Sequence, residues 1–168
     1  MKIKINLTVL LSIGLIFSLT GCSNKSLSDY ELEKGSITSI CTKNDSLDNI
    51  KIKIVTETNF DADGYLMNMK IYCTEKVKNK GEFEYRANET IANSEGYQNN
   101  SNMIYNYEID EKNQIISYET IFTEFDFSDI SVDEKSNYKA SKYIKSSEKG
   151  GSKCKITGTT RKELELDK

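Results

Sequence analysis

From Ile37 onward the chain alternates between apolar and polar positions. Ile50, Ile52, Ile54, Thr56, Thr58 and Phe60 fall in one phase, with Lys51, Lys53 and Glu57 in the other. A period of two puts the first set on one face of a strand, so a half-buried strand is predicted over 50–60. Asp61-Ala62-Asp63-Gly64 follows, and two carboxylates beside a glycine free to take positive φ make a turn. The return strand places Tyr65, Met67, Met69, Ile71, Cys73 and Val77 in one phase, against Asn68, Lys70 and Lys76. A second hairpin repeats the scheme. Met103, Tyr105, Tyr107 and Ile109 alternate with Asn106 and Glu108, residues 110–113 turn the chain, and Ile116, Tyr118 and Phe122 return in phase.

Between the hairpins the period changes to four. Phe83, Ala87 and Ile91 make a thin stripe that predicts a helix over 80–98. Beyond the second hairpin, Ser131 with Glu134 three places on is a capping box. The helix it opens carries Tyr138, Ala140, Tyr143 and Ile144, and Gly150-Gly151 ends it. A short last strand is predicted over 152–157, and the charged residues 159–168 are expected to fray. The sum is an α+β fold: a single antiparallel sheet built from two hairpins plus terminal strands, covered by two helices. It forms one domain over 37–158, long enough for a real core.

The first 36 residues obey neither period. Lys2 and Lys4 precede an apolar stretch from Ile5 to Leu19, which closes on Leu19-Thr20-Gly21-Cys22. Such a short run ending in small residues reads as a cleavable signal over 1–21, not as a membrane span. Its ending resembles the bacterial lipobox. That implies diacylglycerol transfer to the Cys22 thiol, cleavage before Cys22, and the lipid membrane as a partner through the acyl anchor. Each buried lipid methylene contributes about 0.8 kcal/mol, so two or three chains hold a protein durably. The expected place is the extracytoplasmic face of the cell membrane. Polar residues 22–36 read as a flexible tether.

Composition then narrows the chemistry. The chain has 168 residues and contains no His, no Pro and no Trp. Without His there is no Ser-His-Asp or Cys-His catalysis and no histidine metal site. Arg86 and Arg161 are the only arginines beside 21 lysines, which speaks of genome bias. Removing residues 1–21 takes away two lysines and moves the net charge from −3 to −5. That balance argues against nucleic acid as a partner.

Three cysteines remain besides Cys22, an odd number for an oxidising compartment. Three pairings are possible, and a fully reduced set is the alternative. Cys73 lies in the apolar phase of its strand, where a thiol behaves as a small hydrophobe. Cys41 and Cys154 lie on the first and last predicted strands. A bond between them would close 113 residues and add about 4 kcal/mol in the loop-entropy model.

Other candidates reduce to ordinary structure. Asp61-Ala62-Asp63-Gly64 resembles the start of a calcium loop, but its fifth and twelfth positions are Tyr65 and Tyr72. Glu124, Asp126, Asp129, Asp133 and Glu134, interleaved with Phe125 and Phe127, read as a solvated loop before a capped helix. The tyrosines at 65, 72, 105, 107, 118, 138 and 143 fit half-buried aromatics better than a ligand platform. No phosphate loop or dinucleotide fingerprint occurs, and no cofactor or metal site is expected. The expectation is a non-catalytic binding or accessory module, with an envelope protein or peptide as its possible partner. The alternatives are a carboxylate-dependent cell-wall enzyme, or an inhibitor or immunity module against a secreted partner.

Several features together resemble one family. They are the Leu19–Cys22 ending, the early Cys41-Thr42-Lys43 strand, the hairpin-helix-hairpin-helix order and the late Gly150-Gly151-Ser152-Lys153-Cys154-Lys155 segment. Together they are similar to the YehR-like family of small bacterial lipoproteins. The resemblance implies an extracytoplasmic α+β domain with a cysteine near each end, and hence a Cys41–Cys154 bond. It implies no active site. Cys73 departs from the pattern.

Overall fold

A computed structural model describes residues 27–97 and 101–167. The elements in order are β1 (Ile37–Leu47), β2 (Ile50–Phe60), β3 (Leu66–Val77), α1 (Lys80–Tyr97), β4 (Met103–Asp110) and β5 (Ile115–Phe122). They are followed by α2 (Val132–Lys135), a 3-10 turn (Ser136–Tyr138), α3 (Ala140–Lys149) and β6 (Lys153–Thr157). All six strands join in one open antiparallel sheet of order β4-β5-β3-β2-β1-β6. The α+β architecture expected from the patterning is present, with three helices packed on the sheet where two were expected.

The third helix arises because the segment opened by Ser131 is broken. The capping box forms as expected, with Ser131 Oγ accepting from the Glu134 amide and Glu134 accepting from the Ser131 amide. The chain then tightens into the 3-10 turn, and Lys139 turns extended at ψ 142°. There it bridges Tyr65, while the Ala140 amide donates to Gly64 O at 2.8 Å. Pairing with the first hairpin's turn therefore wins over helix continuity. At the far end of α3, Gly151 at φ +91° lets its own amide reach Glu148 O and the Ser152 amide reach Ser147 O. That is the paired-amide glycine stop anticipated at Gly150-Gly151.

The first hairpin forms as predicted, except in its phase near the turn. Asp61 Oδ1 accepts from the Tyr65 amide, and Gly64 sits at φ +81°. A bulge then pairs Phe60 with Leu66 and Asn59 with Asn68, leaving Met67 as the extra residue. Leu66 therefore points into the core, where alternation assigned Tyr65 and Met67.

The helix-covered face holds two apolar clusters. Under α1, Phe83 and Ala87 pack on Ile50, Ile52, Cys73, Val77 and Ile116. Under α3, Ile144 and Ala140 pack with Phe60, Leu66 and Tyr138. Fully burying a side chain such as Phe60 or Ile144 contributes about 2–3 kcal/mol. The predicted α1 stripe is corrected at its third turn. Thr90 and Ser94, not Ile91, are the buried residues there.

Both ends of the described residues also differ from expectation. Of residues 159–168, expected to fray, the described part, 159–167, folds back. Leu166 is buried in the α3 cluster, and Arg161 makes a two-bond fork to Glu148 at 2.7 and 3.0 Å. At the other end, the described part of the expected tether lies across the sheet's second face as an irregular strap, residues 27–36.

Candidate functional site

The helix-free face of the sheet is where polar groups converge. Antiparallel register puts Asn59, Asn68, Lys70 and Glu119 on it, opposite in phase to Phe60, Met69 and Tyr118. The strap is held there by hydrogen bonds. Ser28 Oγ donates to Glu119, Lys70 Nζ donates to Tyr30 O at 2.7 Å, and Asn68 Nδ2 donates to Glu33 O at 2.9 Å. The row continues inward, with Asn59 Nδ2 on Asn68 Oδ1 and Thr38 Oγ1 on Asn59 Oδ1. Gly35 lets the strap pass the sheet, since a Cβ there would lie 2.1 Å from Phe60 O.

Glu119 is the most buried acid, at 0 % exposure. Lys70 Nζ lies 3.3 Å from its carboxylate, and Asn106 Nδ2 donates to it at 3.2 Å. A buried carboxylate without such partners would cost several kcal/mol. The strap thus completes the surroundings of a charge that the sheet alone would leave open.

A second buried acid sits on the opposite face. Glu75, at 7 % exposure, pairs with Arg86 of α1 at 3.1 Å, and Tyr118 Oη donates to it at 3.5 Å. Burial pushes the Glu75 carboxyl above its ordinary value, and the Arg86 charge works against that shift. Cys73 lies in the same cluster as a buried free thiol. Burial, reinforced by the Glu75 charge, pushes its thiol far up, so it carries no reactive thiolate near neutral pH.

At the β4 edge of the sheet an open pocket of about 460 Å³ is lined by Leu27, Ser94, Tyr105, Asn106, Tyr107 and Glu108. Tyr105 stacks on Tyr118 on one side and meets Tyr97 on the other. The pocket is therefore a rim around an edge strand, closed on one flank by the start of the strap.

The residues singled out from sequence fall as follows. Cys41 and Cys154 are opposite one another on adjacent strands and form a disulfide. Cys22 lies outside the described residues. The tyrosines do not gather: Tyr105 and Tyr118 pack under α1, whereas Tyr65, Tyr138 and Tyr143 belong with α3, the 3-10 turn and the loop before them. In that loop Phe125 and Phe127 turn inward, and among the described residues no group of acids is arranged to hold a metal.

Glu75 and Glu119 were missed by sequence reasoning. Glu75 had a signal, because it occupies the inward phase between Cys73 and Val77. Glu119 had none, because it sits in the outward phase and its partners come from other strands and from a strap residue 91 positions away. The chain matches no protein-family model, no curated protein and no solved structure.

Proposed function

We propose that the chain is a lipid-anchored protein of the extracytoplasmic membrane face, whose folded domain acts by binding or as an accessory component, without catalysis. The observation that carries this reading is the apolar run closing on Leu19-Thr20-Gly21-Cys22 behind two lysines. The Cys41–Cys154 disulfide supports it, because such bonds persist in oxidising compartments. Membership of the YehR-like lipoproteins belongs to the same proposal. The non-catalytic part is supported by the placement of the two buried carboxylates. Glu75 and Glu119 lie on opposite faces of one sheet, each with its own cation, and cannot flank a single bond as a glycosidase pair must.

The test is Cys22→Ser alongside globomycin treatment of the wild-type chain. Both are expected to leave a precursor about 2 kDa larger; the Cys22→Ser precursor carries no lipid, whereas the globomycin-arrested one keeps its diacylglycerol on Cys22. A protein of unchanged size that stays membrane-bound in both would sink the reading. Crosslinking followed by pull-down of the native lipoprotein tests the binding role. Recovery of no partner, under conditions that preserve known envelope complexes, would count against it.

A further inference from the structure

We infer that the β4 edge, where partly exposed Tyr107 lines a pocket with the strap's first residue and partly exposed Tyr97 packs on Tyr105, is the surface on which the domain rests against the bilayer holding its anchor. The inference builds on the lipoprotein reading and adds an orientation that the reading alone does not contain. Its first support is reach. The strap begins at Leu27 against Tyr105–Glu108 of β4, and Cys22 lies five residues earlier. Five extended residues span at most about 17 Å. The sheet itself is about 24 Å across six strands. A lipid on Cys22 therefore holds the β4 edge near the headgroups, while β6 and α3, at the other side of the sheet, stand away.

The chemistry of the two edges agrees with that placement. The outer edge, β6, is five residues long and carries Lys153 and Lys155 exposed, the usual guard against pairing with another chain. β4 is eight residues long, pairs with β5 without interruption, and has no lysine, proline or bulge. Its only charges, Glu108 and Asp110, stand at one end, and an edge pressed toward a membrane surface is shielded from other sheets along the rest. Tyr97 and Tyr107 are 38 % and 41 % exposed beside it, and tyrosine suits the boundary between headgroup and water. Glu108 and Asp110 lie on the same strand, so the contact is set by the anchor and the rings, not by attraction to anionic lipid.

The experiment uses the full lipidated protein in phosphatidylcholine vesicles containing a headgroup nitroxide quencher. A fluorophore is placed at Tyr107→Cys or, on α3, at Lys145→Cys; the buried Cys73 and the disulfide leave each new thiol as the reactive one. Quenching at position 107 is expected to exceed that at 145 at least threefold. Inserting ten Gly/Ser residues between Cys22 and Leu27 is expected to bring the ratio near one. Equal quenching in the uninserted protein overturns the orientation, and a high ratio that the insertion leaves unchanged overturns the short anchor as its cause. Protection of position 107 by crosslinking to another protein chain would overturn the orientation too, by making the edge a protein interface. Mass analysis of the N-terminal peptide separates the two readings. Unmodified Cys22 sinks the lipoprotein assignment, whereas acylated Cys22 with equal quenching sinks the orientation alone.

Discussion

The two faces of the sheet are built on different principles. The helix-covered face buries Ile50, Ile52, Phe60, Leu66, Val77 and Ile116 beneath α1 and α3, so area removed from water holds it. The opposite face buries Asn59, Asn68 and Glu119 beneath a strap with no regular structure, and directional hydrogen bonds hold it. A face of the first kind resists local opening. A face of the second kind fixes one register of the strap, and its release would uncover the polar row and Ile121 while leaving the two helix-side clusters closed. Stability should therefore respond steeply to changes on one side, and local motion to changes on the other.

The largest effect belongs to the covalent bond that joins β6 to β1. Replacing both Cys41 and Cys154 by Ser reopens a 113-residue loop and is expected to cost about 4 kcal/mol, read as a lower urea midpoint. Next comes the apolar face itself. Ile116 is fully buried under α1, and Ile116→Ala is expected to cost about 3 kcal/mol by chemical unfolding. On the polar face, Lys70→Met removes the cation from a buried carboxylate. Lys70 keeps some solvent contact at 14 % exposure, so the expected loss is about 2 kcal/mol, below that of a fully buried pair. Equal losses for Ile116→Ala and Lys70→Met would erase the contrast between the faces.

The contrast also explains what could be read in advance. Alternation in Ile50–Phe60 and in Met103–Ile109 located the strands because each inward side chain meets a helix that the same local pattern predicts. Capping at Ser131 and the stop at Gly151 were legible for the same reason, since their partners lie within a few residues. The break at Lys139 was not, because it answers to Tyr65 and Gly64, more than 70 residues away. Leu66 was misphased by a bulge that no single residue announces. The strap was read as a tether because its groups that bond the sheet are mainly backbone carbonyls, at Tyr30 and Glu33, and carbonyls leave no trace in composition. Of the β4 edge, the tyrosines were visible but not the chain that lies beside them.

The smallest expected effect is the most diagnostic of the polar face. Ser28 Oγ ties the first turn of the strap to Glu119, on a residue that keeps Lys70 and Asn106 as further partners. Ser28→Ala deletes one hydrogen bond to a charged acceptor without stranding that acceptor, so global stability should fall by only about 1 kcal/mol. Amide exchange reports something else. Releasing one end of a segment held by a few directional bonds raises its opening rate more than it lowers global stability. Amides in residues 28–35 should therefore exchange several-fold faster, while those of β2 and β3 keep their rates relative to global unfolding. Ile116→Ala should do the reverse, speeding β3 and β5 while the strap keeps its own opening. If Ser28→Ala speeds exchange evenly across strap and strands, the strap opens only with the whole domain, and the two faces form one cooperative unit.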